Sequence, residues 1–113
     1  MKKYTLLLGI LVLLVSCASF NPAKYENQYY TSIEMYVETM TSINKSYSEG
    51  NLSIETYNMA ISYANSFQNS ARLAKYALEI KNYESFITNM NSAQISLDQL
   101  GKFAINGRAG RLQ

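Results

Sequence analysis

Side chains that commonly carry chemistry are scarce in this chain, and the one that stands apart is its single cysteine, Cys17. The chain has no histidine, which removes a Ser-His-Asp triad, an imidazole general base and histidine-ligated metals. Glu34 and Glu38 are four residues apart and share a helical face, but without a partner motif a solvated face is the preferred interpretation. The five glycines form no phosphate-binding pattern. We therefore expect that the protein is not an enzyme and that it has no catalytic, cofactor-binding or metal-binding residues.

Cys17 closes a short apolar segment that follows Lys2 and Lys3. Residues 6–15 are almost wholly apolar, and their run is about half as long as the ~20 residues that span a bilayer. A basic start, a short apolar run and a small residue before the end are the three parts of a secretory signal. The pattern predicts that residues 1–16 form a signal peptide that is cleaved.

Leu14-Val15-Ser16-Cys17 resembles the lipobox of bacterial lipoproteins, in which a branched apolar residue, a tolerant position and a small residue precede the cysteine. The resemblance implies that the Cys17 sulfur carries diacylglycerol. It also implies that the signal is cut between Ser16 and Cys17 and that the new amine is acylated, for example with palmitate. Because Ala18 rather than Asp follows, the same resemblance favours the outer membrane, with the folded part on the periplasmic face.

Two other interpretations of this segment compete with the lipoprotein. Ser16-Cys17-Ala18 also fits the small-x-small pattern of an ordinary secretory cut after Ala18, which would release a soluble protein. Alternatively, the segment stays uncut as a short membrane anchor. The lipoprotein is preferred because every part of its signal is present and in order. Residues 17–21 would then be a lipidated tether, and two or three acyl chains on Cys17 would bind the bilayer stably.

The charge pattern argues against nucleic acid as a partner. Apart from Lys2 and Lys3, eight basic residues face eight acidic ones, so the folded part has no basic excess. Residues 18–60 carry two basic and five acidic residues, whereas residues 61–113 carry six basic and three acidic ones. Attraction between neighbouring antiparallel helices is the preferred explanation. A basic C-terminal end that meets anionic headgroups or an acidic partner is the alternative.

Apolar residues spaced by three and four along residues 22–104 predict helices. Asn21 with Pro22, Ser53 and Asn82 are candidate helix starts, and Gly50 is a candidate stop. The expected helices cover about 22–48, 54–80 and 83–104, in an all-α, small antiparallel three-helix bundle; residues 105–113 are expected to fray. The alternative is a helical hairpin with a long second helix, since neither Gly nor Pro breaks the chain near Asn82.

Each predicted helix has its own apolar stripe. The stripes are Tyr29, Ile33, Tyr36, Met40, Ile43 and Tyr47; then Ile54, Tyr57, Ile61, Ala64, Phe67, Ala71, Ala74 and Leu78, widened by Met59 and Leu73; then Phe86, Met90, Ala93, Leu97, Leu100 and Ala104. The ten tyrosines of the chain are expected mainly at the core margin, with buried rings and solvated hydroxyls. Tyr25, Tyr29 and Tyr30 could also rest at a lipid interface.

The mature part is weakly similar to small helical lipoproteins of phages and their hosts, most of which have no assigned activity. The similarity lies in the aromatic-rich first helix, in residues 49–53 and in Ala-Arg-Leu-Ala at residues 71–74. We expect a non-catalytic, membrane-anchored lipoprotein of the cell envelope, held to the bilayer by acylated Cys17 and acting through contacts with an unidentified envelope protein. The alternative is a phage-encoded lipoprotein that acts in superinfection exclusion or lysis.

Overall fold

Three helices follow one another along the chain in a computed structural model that describes residues 22–112, with side chains described as far as Ile105. They are α1 (Pro22–Ser48), α2 (Ile54–Glu79) and α3 (Tyr83–Leu112). The helices run up, down and up and pack against one another in all three pairings. The predicted all-α three-helix bundle is therefore confirmed. The predicted helix start at Asn21 lies outside the described residues.

The first turn is built by a glycine and a capping serine. Gly50 has φ of +80°, in the left-handed region that glycine adopts at little cost. The amide of Asn51 donates to the carbonyl of Ser46 at 2.8 Å, which closes the end of α1. The hydroxyl of Ser53 then accepts from the amide of Thr56 at 3.1 Å, which makes Ser53 the N-cap of α2.

The second turn separates α2 from α3 without glycine or proline. Lys81 takes the left-handed conformation with φ of 60°, and the amide of Asn82 donates to the carbonyl of Ala77 at 2.8 Å. The side-chain oxygen of Asn82 accepts from the amide of Ser85 at 3.2 Å and so caps α3. This tight reversal gives three helices rather than a hairpin with one long arm.

The last helix is longer than the apolar stripe that predicts it. The stripe predicts a helix that ends at about 104, whereas the backbone of α3 is helical as far as Leu112; fraying of residues 105–113 stays a prediction. Gly107 and Gly110 lie within this extension. A glycine inside a helix costs only about 1 kcal/mol relative to alanine, so a glycine alone does not end a helix that is already formed.

The core lies between α2 and α3, with α1 packed across both. All six stripe residues predicted for α3 are buried: Phe86, Met90, Ala93, Leu97, Leu100 and Ala104. On α2 the buried face is made of small residues around one large ring: Ala60, Ala64, Phe67, Ala71, Ala74 and Ala77. Alanine allows two helix backbones to approach closely, which explains why α3 follows α2 along most of its length.

The predicted stripe of α2 is wrong at several positions. Ile54, Met59 and Leu73 are exposed, while Ala60 and Ala77 are buried in their place. The error has a physical cause, because periodicity favours large apolar side chains for a buried face, whereas the close contact with α3 requires small ones.

Aromatic rings attach α1 to the other two helices. The ring of Tyr36 stacks on Phe67 of α2 with centroids 4.5 Å apart, and Tyr47 stacks on Tyr57 at 4.1 Å. The hydroxyl of Tyr36 accepts from the side-chain amide of Gln68, and that of Tyr57 donates to Asn44, both at 2.7 Å. Tyr36 and Tyr57 thus lie at the core margin as predicted, with the ring packed and the hydroxyl bonded at the surface, whereas Tyr47 is exposed.

Candidate functional site

The predicted site residues, Ser16 and Cys17, lie outside the described residues, so the structure does not bear on cleavage or lipidation. The described chain begins at Pro22, so the start of α1 is the described segment nearest to Cys17 in the sequence. Glu34 and Glu38 are both exposed on α1, in keeping with a solvated face. Within residues 22–112, no group of His, Cys, Asp or Glu is placed to hold a metal ion.

The end of the bundle that holds the start of α1 is called the proximal end here. It also holds the C-terminal end of α2 and the start of α3, because Tyr25 packs against Ala74, Ala77 and Phe86. The ring of Tyr25 stacks on Tyr83 at 4.9 Å and meets the edge of Phe86 at 5.4 Å. The sequence stripe of α1 began at Tyr29 and missed Tyr25, although Tyr25 lies one helical turn earlier on the same face.

An open cleft of about 190 Å³ lies between α1 and α2 at the proximal end. Its lining consists of Glu26, Tyr29, Tyr30, Lys75, Leu78 and Glu79. The cleft is smaller than the roughly 300–1,000 Å³ of typical small-molecule pockets, and its charges are mixed. It joins the exposed ring of Tyr30 to the last turns of α2.

A second open cleft, of about 280 Å³, lies beside the start of α3 and is lined by Asn82, Glu84, Ser85, Thr88 and Asn89. Its polar groups bond within their own helix. The side-chain amide of Asn89 donates to the carbonyl of Ser85 at 2.9 Å, and the hydroxyl of Thr88 donates to the carbonyl of Glu84 at 3.1 Å. These bonds leave no convergent set of groups that would orient a substrate.

The outward face of α2 becomes apolar at the proximal end. Leu73 and Tyr76 lie on this face, and Ile80, the C-cap residue directly after α2, continues their spacing of three and four; each is more than half exposed. The same face is polar earlier in α2, where it carries Asn58, Ser62, Asn65 and Asn69, all exposed. We call Leu73, Tyr76 and Ile80 the proximal apolar face. Sequence reasoning misses this face, because the predicted stripe of α2 uses Leu73 to widen the buried face and does not include Tyr76 or Ile80.

Neither a protein-family model, nor a curated protein, nor a solved structure matches this chain. Across residues 22–112, each helix is too short or too polar to cross a membrane. The fold defines the chain as a helical bundle.

Proposed function

We propose that this chain is a bacterial lipoprotein of the cell envelope, anchored by lipid on Cys17 and acting through protein contacts rather than by catalysis. The observation that carries the proposal is the segment Leu14-Val15-Ser16-Cys17 at the end of a short apolar run. In this proposal, the cut between Ser16 and Cys17 makes Cys17 the first residue. Two or more acyl chains on it then hold the protein to the bilayer, each buried methylene contributing about 0.8 kcal/mol.

The absence of histidine supports a role without catalysis. In this proposal the one cysteine is taken up by lipid, which leaves no thiol for chemistry. The two open clefts also support it, because each is smaller than a typical small-molecule pocket. A bundle with exposed apolar side chains on all three helices suits a protein that acts by contact. We place it on the periplasmic side of the outer membrane, since Ala18 follows Cys17.

Mass spectrometry of the protein purified from the envelope tests the anchor. The expected N-terminal peptide begins at Cys17 and carries the mass of diacylglycerol and one further acyl chain. A peptide that begins at Ser19 without lipid would contradict the proposal and indicate a soluble secreted protein. An intact Met1 would indicate an uncut anchor.

A labelling experiment gives the matched control. With radioactive palmitate, the wild-type chain and Ser19→Ala are expected to incorporate label, and Cys17→Ser is expected to incorporate none. In the same cells, crosslinking of the lipidated chain should capture an envelope protein. Capture of lipid alone would count against action through protein contacts.

A further inference from the structure

We propose that the proximal apolar face, Leu73, Tyr76 and Ile80, rests in the interfacial layer of the bilayer that holds the anchor. The inference depends on the proposed lipid anchor and adds to it an orientation, with the outward side of the C-terminal part of α2 turned toward lipid. The occupant of this face is then lipid rather than a second protein.

The first step of the argument is the reach of the tether. Only residues 18–21 separate Cys17 from Pro22, and a chain of this length spans less than about 20 Å even when fully extended. Helix α1 has 27 residues and is therefore about 40 Å long. A lipid on Cys17 thus keeps the start of α1 close to the headgroups, while the far end of the bundle can lie well away from them.

The second step is the packing that places α2 beside the start of α1. Tyr25 contacts Ala74 and Ala77 in a shared buried cluster. On the outside, Tyr30 shares the cleft between α1 and α2 with Lys75 and Glu79. The last two turns of α2 therefore lie beside the first turns of α1, at the end of the bundle that the short tether would hold near the bilayer.

The third step is the chemistry of the face. Leucine and isoleucine beside a tyrosine suit the region between headgroups and acyl chains, where a ring can be buried while its hydroxyl stays wet. Tyr76 is 61% exposed and Ile80 is 55% exposed, so both side chains are free to enter lipid. Charges of both signs flank the face: Arg72, Lys75 and Lys81 are basic, and Glu79 and Glu84 are acidic. The face itself consists of the three apolar side chains, so we assign the contact with lipid to them.

Tryptophan fluorescence tests this orientation, because the chain has no tryptophan of its own. Tyr76→Trp places a reporter on the proximal apolar face. Met59→Trp is the matched control, since Met59 lies on the same helix, is 56% exposed and is about 25 Å nearer the far end. Each variant is purified in its processed form, its N-terminal mass is checked, and it is reconstituted into vesicles of phosphatidylethanolamine and phosphatidylglycerol with brominated acyl chains.

The expected result is a blue shift and loss of most of the emission for Tyr76→Trp, with little change for Met59→Trp. Adding Leu73→Ser and Ile80→Ser to the Tyr76→Trp chain should restore much of the emission. Circular dichroism of each variant checks that the bundle is folded.

The outcomes separate this inference from the proposed anchor. A lipidated N-terminus with equal quenching at positions 59 and 76, or with none at either position, would overturn the orientation and leave the anchor intact. If position 76 is instead crosslinked to another protein in cells, that protein and not lipid covers the face, and the inference also fails. An N-terminal mass without lipid would overturn the proposed anchor and this inference together.

Discussion

Tyr25 of α1 stacks on Tyr83 of α3, with ring centroids 4.9 Å apart and ring planes inclined by 19°. The contact joins two helices that are separated by the whole of α2 in the chain. Tyr25 is only 7% exposed and also meets the edge of Phe86. Tyr25 therefore attaches the start of α1 to the start of α3.

Tyr25→Ala is expected to destabilise the bundle by about 3 kcal/mol, because it removes a buried ring and two aromatic contacts. Urea unfolding followed by circular dichroism measures the change. Tyr30→Ala is the control: Tyr30 lies on the same helix but is 59% exposed, and its loss should cost well under 1 kcal/mol. Equal effects of the two substitutions would show that Tyr25 is not part of the core.

Ser46→Ala is expected to stabilise the protein by about 1 kcal/mol, since a buried hydroxyl without a partner carries an uncompensated desolvation cost. Among the described residues, the Ser46 hydroxyl is the buried side-chain polar atom that lacks a hydrogen bond. Ser62 is exposed in the middle of α2, so Ser62→Ala shares the helix-propensity gain alone, roughly half as large. Thermal unfolding compares the two, and a lower melting temperature for Ser46→Ala would contradict the burial.

Ser53→Ala is expected to cost about 1 kcal/mol because it removes the N-cap of α2. The lost contact is the 3.1 Å bond from the Thr56 amide to the Ser53 hydroxyl. Ser66→Ala, at an exposed position within the same helix, should be neutral or slightly stabilising. Denaturant midpoints measured side by side check the prediction, and a neutral Ser53→Ala would mean that the cap contributes nothing.

Two glycine substitutions should act with opposite sign. An added Cβ meets no atom within 4 Å at either Gly50 or Gly101, so crowding does not decide either effect. Gly50 has φ of +80°, and Gly50→Ala should destabilise by about 1 kcal/mol because alanine disfavours that conformation. Gly101 lies within α3, and Gly101→Ala should stabilise by about 1 kcal/mol. If the two substitutions changed the free energy of unfolding in the same direction, the turn geometry at Gly50 would be contradicted.

Sequence reasoning predicted the bundle because the local signals agreed with its tertiary packing. The α3 stripe begins out of phase with the α2 stripe, which predicted a new helix near Asn82 although no glycine or proline is present. The structure places a left-handed Lys81 and an Asn82 cap at that point. The periodicity indicates the break because a single helix continued past Asn82 would turn its apolar stripe away from the core.

The buried face of α2 and the proximal apolar face were harder to predict. A search for large apolar residues expects Met59 and Leu73 inside, yet both are exposed, and alanines face α3 instead. Small residues are needed because the backbones of α2 and α3 pack closely, and the sequence of one helix alone does not show how close its neighbour will be. For the same reason, the cluster of Leu73, Tyr76 and Ile80 becomes visible only once the alanines have been placed.

The five alanines on α2 have a mechanical consequence. They line the contact between α2 and α3, whereas α1 is attached through the buried Ile43 and through ring contacts such as Tyr25 with Tyr83 and Tyr36 with Phe67. Tension applied at the N-terminal side of α1 reaches those ring contacts first, beginning at Tyr25. Under tension we expect α1 to separate from the bundle first, while α2 and α3 stay packed against each other.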